Sequence, residues 1–197
     1  RSLELLLLNK IPCASSFKHT SPAGVGTGIE LSDMLKKVYN ANDLELTPTA
    51  IAFIRARQAD PLSSFGDFIS ISSIVDECTA NLIKKEISDG IIALGYTPEA
   101  LAILKTKKSG NYIILQANSN VDLNNTELRE LMGNIALSQK TNTQITNLDY
   151  FDKRLTEKKD IPMESLIDLM IANTTLKYTQ SNSIVYARNG QVIGVGA

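Results

Sequence analysis

The sequence predicts an α/β fold in which helices pack against one largely shared sheet. Three observations carry that reading. Helical and strand periodicities alternate along most of the chain. Two helix starts are marked by threonine followed by proline, at Thr47-Pro48 and Thr97-Pro98. Near the end, Asn189-Gly190 separates two β-rich runs, the signal for a tight hairpin. With 197 residues, 43% of them hydrophobic, the chain can bury one substantial core or two small ones.

Each element has a local reason. Residues 2–9 read as a helix and residues 14–18 as a short strand. Gly24-Val25-Gly26-Thr27-Gly28 is glycine-rich, departs from a dinucleotide fingerprint, and reads as a flexible connection. Leu31, Met34, Leu35 and Val38 have the three-and-four spacing of one buried face, which predicts an amphipathic helix over 31–39. Thr47 caps a second helix with Pro48 in its first position. Ile51, Phe53, Ile54 and Ala56 supply its apolar contacts, Arg55 and Arg57 are expected to point outward, and Asp60-Pro61 ends it. Residues 68–74 alternate Ile with Ser as a half-buried strand does. A helix over 79–87, a buried strand over 90–94, a capped helix over 97–107 and a strand over 112–116 follow. Residues 118–126 read as a polar loop, 128–137 as either strand or helix, and 141–159 as surface. Leu166, Leu169, Met170 and Thr174 give 163–176 a helical period, before strands over 183–187 and 191–195.

Composition excludes several classes. A formal net charge of -1 gives no bulk attraction to nucleic acid or to an acidic membrane surface. No apolar run is long enough for a membrane span. Residues 3–8 are apolar but broken by Glu4, without the basic start and cleavage site of a signal peptide, and read as the end of a packed helix. Cys13 and Cys78 form neither a C-x-x-C pair nor a ligand cluster, so reduced thiols in a cytoplasmic protein are expected. With one histidine, no H-x-E and no P-C-x-x-C, a catalytic zinc site of the deaminase type lacks its ligands. No G-x-x-x-x-G-K-[ST] loop supports an ATP-driven mechanism.

The candidate chemistry centres on Phe17-Lys18-His19-Thr20-Ser21-Pro22-Ala23-Gly24. Histidine as a residue type titrates near neutral pH, so the side chain at position 19, His19, can accept a proton from an amine. The Lys18 ammonium can stabilise negative charge or hold the imidazole neutral. Neighbours on a regular strand face opposite ways, so the two can share a site only where the strand ends. Ser21-Pro22-Ala23-Gly24 is expected to supply that turn. Phe65-Gly66 can floor a flat heterocycle, the ring by stacking and the glycine by close approach. Asp89 precedes an apolar strand, where a carboxylate needs a partner, a helix cap or a turn. Asn182 can donate and accept at once, or cap the turn before the next strand. Lys108 reads first as a solvated lysine.

The octet, Ser63-Ser64-Phe65-Gly66-Asp67, Ser88-Asp89-Gly90-Ile91-Ile92-Ala93, Lys177-Tyr178-Thr179-Gln180-Ser181-Asn182-Ser183 and Asn189-Gly190-Gln191-Val192-Ile193-Gly194-Val195-Gly196 occur in that order. This ordered set resembles the AICAR transformylase part of the bifunctional purine-synthesis enzymes, whose other part is IMP cyclohydrolase. The resemblance covers nearly the whole chain. It implies a cytidine-deaminase-like three-layer α/β fold, with a first subdomain over residues 1–150 and the start of a second over 151–197. It implies formyl transfer from 10-formyltetrahydrofolate, as co-substrate and without a metal, to the amine of AICAR. By the same resemblance Lys18 and His19 match the catalytic pair. Phe65, Gly66, Asp89, Asn182 and Lys108 match positions at or near the bound ligands. Leu62 stands where relatives often carry methionine near the folate. The resemblance also implies a homodimer with the site at the interface, and phosphate-binding arginines before residue 1 and after residue 197. The chain is therefore expected to be a central fragment of the parent enzyme, nearly inactive alone. A non-catalytic module that binds nucleotide or supports dimerisation is the alternative function, and a zinc deaminase the third.

Overall fold

The computed structural model describes residues 11–118, 126–133 and 135–196. The helix expected at 2–9 and most of the loop expected at 118–126 lie outside the described residues. In chain order the strands are β1 (Cys13–Lys18), β2 (Ser21–Thr27), β3 (Asp67–Val75), β4 (Ser88–Tyr96), β5 (Ile113–Gln116), β6 (Thr126–Leu131), β7 (Ile135–Lys140), β8 (Ile184–Arg188) and β9 (Gln191–Gly196). The α-helices are α1 (Asp33–Val38), α2 (Pro48–Gln58), α3 (Glu77–Lys85), α4 (Pro98–Lys105) and α5 (Met163–Lys177). Short 3-10 turns occupy Lys107–Gly110 and Leu148–Phe151.

One mixed, seven-stranded sheet organises these elements, in the order β5-β4-β3-β1-β2-β9-β8. β3, β4 and β5 run parallel, and the remaining pairings are antiparallel. The α/β class expected from sequence is thus observed. β8 and β9 join β2 through Gly26↔Gln191, so the sheet continues past residue 150. Alternation along each strand separates two cores. Ala14, Ile69, Ile71, Ile91 and Ala93 meet α2, α3 and α4, whereas Cys13, Val25 and Val192 meet Ile171 of α5. Residues 128–137, ambiguous in sequence, form the separate β6–β7 hairpin.

The helix starts are set as the sequence predicts. The Thr47 hydroxyl accepts from Ala50 N–H at 3.2 Å, and Thr97 does the same for Ala100 at 3.2 Å. Asp76 caps α3 through Thr79 N–H at 2.8 Å. At the last hairpin Asn189 (φ 52°) and Gly190 (φ 77°) both take positive φ, as that turn requires. α5 buries Leu166, Met170, Ile171 and Thr174, while Leu169 turns outward.

Four expectations are corrected. The glycine-rich stretch is not a flexible connection but strand β2. A Cβ at Gly24 would overlap Ala56 O, and one at Gly26 would overlap Arg55 Cβ, so glycine lets α2 lie directly on the strand. The turn after β1 is His19-Thr20, because Lys18 already pairs with Ser21 and the residues from Ser21 on are strand. Helix α1 is shorter than expected and buries no residue; Met34 is 74% exposed and Val38 63%, while Leu31 is buried just before the helix starts. A helix this short holds too few turns to lay a stripe on the core. Finally, Arg55 and Arg57 are buried rather than outward, because residues 49–57 of α2 are buried on every side. Arg55 Nε and Nη2 donate to the carbonyls of Ile29 (3.1 Å) and Glu30 (3.0 Å).

Among the described residues no helix is long and apolar enough to cross a membrane. The β2–α2 contact yields a stability test. Gly26→Ala forces the helix off the strand and should destabilise the chain by about 1–3 kcal/mol. Gly194→Ala, where an added Cβ meets nothing within 4 Å, should stay within about 0.5 kcal/mol. Urea unfolding of both variants checks the contrast; equal midpoints would show that the close approach is not constraining.

Candidate functional site

Strand direction puts the sequence-identified residues at one end of the sheet. β1 ends at Lys18, and its antiparallel neighbours β2 and β3 begin there. β4 and β5 run parallel to β3, so Asp89 and the Lys107–Gly110 turn before β5 share that end. β8 opposes β9, which opposes β2, so Asn182, just before β8, arrives at the same end.

His19 takes φ 53°, a left-handed conformation uncommon outside glycine but enriched for histidine, asparagine and aspartate. That backbone twist breaks strand alternation at the point where the sequence required it. The Lys18 ammonium donates to Phe65 O at 2.5 Å and lies 3.4 Å from Gly66 O. Gly66 has φ 70°, and an added Cβ there would sit 3.3 Å from Lys18 Nζ. The Gly66 N–H is held by Ile87 O at 2.9 Å. The Phe65 ring is exposed, and so is His19.

Lys108 pairs with Asp89 at 2.5 Å. Lys108, which reads in sequence as a solvated lysine, is exposed yet partnered. Both side chains stand in water, so the pair adds at most about 1 kcal/mol. Its hydrogen bond holds the Asp89 carboxyl below its ordinary range, and the positive charges of Lys108 and Lys18 act in the same direction. Lys18, Phe65, Gly66, Asp89 and Lys108 thus form one neighbourhood. Asn182 makes no hydrogen bond to that group among the described residues. It is exposed, two residues after Gln180, whose N–H donates to Ser21 Oγ at 3.3 Å beside the His19-Thr20 turn.

A cleft of about 770 Å³ opens on this side of the turn, lined by Thr20, Glu127, Arg129, Thr141, Asn142, Lys177, Tyr178, Thr179 and Gln180. Lys177 Nζ donates to Gln144 O at 2.8 Å and lies 5.2 Å from the centroid of the Tyr178 ring. Residues 177–180 of the sequence motif therefore form one wall, and the hairpin residues Glu127 and Arg129 form another. Among the described residues no three His, Cys, Asp or Glu side chains gather into a ligand set for a metal ion.

Beneath the loops lies a group to which the motifs contribute Ser64, Asp67 and Ser88 but assign no part in the site. Arg57 donates to Glu86 Oε2 (2.8 Å), Ser64 O (2.8 Å), Asp67 Oδ1 (2.9 Å) and Ile87 O (3.2 Å). Asp67 also accepts from the Ser16 hydroxyl at 2.6 Å. Burial is the leading influence on Asp67 and raises its carboxyl above the ordinary range, while Ser16 and Arg57 pull it back down. Lys107 donates to Glu86 O and lies 5.1 Å from the Tyr112 ring centroid, and Tyr112 OH meets Ser88 Oγ at 2.9 Å. One sequence signal could have exposed this network. A helix as rich in Ala, Ile and Phe as α2 has no polar face for its arginines, so they had to find acceptors inside.

Comparison with known proteins agrees with this arrangement of motifs. The profile described as the AICARFT/IMPCHase bienzyme matches residues 3–197. The Bifunctional purine biosynthesis protein PurH of Acetivibrio thermocellus is 32% identical over 186 residues, covering 94% of this chain and 32% of that protein. Proteins of the same name from Thermoanaerobacter sp. and Ruminiclostridium cellulolyticum are each 29% identical, covering 99% of this chain and 34% of theirs. The chain spans about a third of the length of the curated relatives it matches. With its motifs in order along one sheet, and the profile covering it almost end to end, the chain belongs to the AICARFT/IMPCHase bienzyme family.

Proposed function

We propose that this chain is part of a bifunctional enzyme of purine synthesis and carries residues for transfer of a formyl group from 10-formyltetrahydrofolate to the amine of AICAR, giving FAICAR. The parent protein also carries IMP cyclohydrolase, in a part not contained in this chain. The observation that carries the reading is the Lys18 ammonium seated on the Phe65 and Gly66 carbonyls, one residue from an exposed histidine and beside a large cleft. A name shared by relatives that span far more sequence supports the pathway; the local geometry supports the step.

The amine of AICAR is attached to an aromatic ring and is a weak nucleophile. Transfer needs alignment with the formyl carbon, removal of an amine proton, and stabilisation of the tetrahedral oxyanion. His19 accepts the proton. An ammonium has three donors, and the two carbonyls under Lys18 engage up to two of them. A donor remains for the oxygen of the transferred group. Phe65 offers a face for the flat ring, and Asn182 offers a donor and an acceptor for the carboxamide and amine. Asp89, tied to Lys108, adds a fixed carboxylate beside the lysine. The site is shared across a homodimer in the cytoplasm, with phosphate-binding arginines contributed by other parts of the parent chain. Neither nucleic acid, membrane nor metal enters the scheme.

Kinetics of the parent enzyme test the assignment. His19→Ala should lower kcat by about 100- to 10,000-fold, with a much smaller change in KM for AICAR. Wild-type turnover in that variant would remove His19 as proton acceptor. The isolated chain should show formyl transfer far below that of the parent. A rate near the parent's would refute the shared-site scheme, and calorimetric binding of AICAR with no turnover by the parent would favour a non-catalytic nucleotide module. Asp89 supplies a pH test. Its folded carboxyl lies below its ordinary value of 3.8, so the associated stabilisation is present above that value and fades as pH falls through the depressed one. Lys108→Ala should move the Asp89 titration upward, measured by carboxyl NMR; an unmoved curve would show that the ion pair is not formed in solution.

A further inference from the structure

We infer that Arg57 is a positioning residue for Lys18: through the two loops it binds, it fixes the carbonyl seat on which the ammonium rests. The inference depends on the reading of Lys18 as part of the reacting site. Arg57 touches neither Lys18 nor any residue assigned to ligand binding. Its side chain is 5% exposed, and its guanidinium reaches four acceptors in two separate segments. Ser64 O and the Asp67 carboxylate flank Phe65 and Gly66, the residues whose carbonyls receive Lys18. Ile87 O and the Glu86 carboxylate belong to the segment entering β4, two residues before Asp89. The Gly66 N–H to Ile87 O bond joins those segments at a carbonyl that Arg57 also holds.

The connection closes from the other side. Asp67 also binds the hydroxyl of Ser16, two residues before Lys18 on β1. Arg57, Asp67 and Ser16 therefore link the strand that carries the lysine to the turn that receives it. A planar guanidinium can serve acceptors in several directions at once, whereas a lysine ammonium at this position would be a single point of charge. The arrangement is also more than burial requires. A buried ion pair often stabilises no better than apolar side chains of the same volume. What such side chains would lack is the directed hold on the Ser64 and Ile87 carbonyls.

The test is a double-mutant cycle in the full-length parent enzyme, using Arg57→Lys and Lys18→Met. Arg57→Lys should reduce kcat about 100-fold, the scale expected for a displacement of about 1 Å at a reacting group. KM for AICAR should change little. If Arg57 acts through the lysine, it should cause no further loss on the residual rate of Lys18→Met. Independent, multiplying losses would overturn the inference, as would an unchanged kcat in Arg57→Lys. Should near-UV circular dichroism show that Arg57→Lys does not fold, Ser16→Ala takes its place in the cycle. It should give a smaller loss, about 10-fold, again absent on the Lys18→Met background. A second readout needs no turnover. Acetylation of the Lys18 amine by acetic anhydride, followed by peptide mass spectrometry, should be several-fold faster in the positioning variant, with exposed Lys153 unchanged. Equal Lys18 rates would overturn the inference. A wild-type parent with no formyl transfer would remove the reaction, yet the labelling contrast would still decide whether Arg57 holds Lys18.

Discussion

A guanidinium sealed inside a protein must be met by acceptors, and at Arg57 that requirement shapes the end of the sheet where the site lies. Leaving one partner of such a pair uncompensated costs on the order of 3–5 kcal/mol. A whole domain is stable by only about 5–15 kcal/mol. The segments that supply the acceptors are therefore not ordinary surface loops. Residues 64–67 and 86–87 are fixed because Ser64 O, Asp67, Glu86 and Ile87 O are all committed to one cation. Their exposed neighbours, Phe65 and Asp89, inherit that rigidity while facing solvent.

The cation reaches this depth because α2 lies so close to the sheet. Gly24 and Gly26 remove the side chains that would hold the helix away from β2. Ala52 and Ala56 reduce the helix surface on the core side. Close approach then buries the whole middle of α2, arginines included. Small residues on a strand and a helix thus determine, one layer up, which charged groups must pair. The same helix supplies Arg55, which satisfies the carbonyls leading out of β2, and its own carbonyl receives Gln191 from β9 at 2.8 Å. Through Gln191 and Tyr39, whose hydroxyl donates to it at 2.8 Å, the helix also ties the last hairpin to the main body.

What was legible in sequence follows from the range of the interaction. Thr47-Pro48, Thr97-Pro98 and Asn189-Gly190 act within a few residues, and each produced the element that it signals. Gly24 and Gly26 failed as signals because glycine marks both a loose loop and a close approach. Only Ala56, some thirty residues later, distinguishes the two. Arg55 and Arg57 were misplaced because outward-facing arginine is the default, and the acceptors that overturn it lie in other segments. The motifs named Lys18, Phe65, Gly66 and Asp89, but not how they meet. That depends on strand order, and the bond from Lys108 to Asp89 depends on a turn with positive φ at Lys108.

In the proposed reaction, the turn after β1 divides the labour of two adjacent residues. Lys18 is the last residue in register, so its side chain stays with the sheet and settles on the next strand's entry. His19 is the first out of register and stands exposed. A charge that stabilises an oxyanion works best when it is fixed beforehand, since reorganising it would raise the barrier it is meant to lower. A proton acceptor has the opposite need, because it must pass its proton on before the next cycle, and water is the nearest sink. Strand alternation alone would have sent these two groups to opposite faces. One left-handed residue keeps them at the same end of the sheet while giving the lysine a carbonyl-lined seat and the imidazole access to solvent.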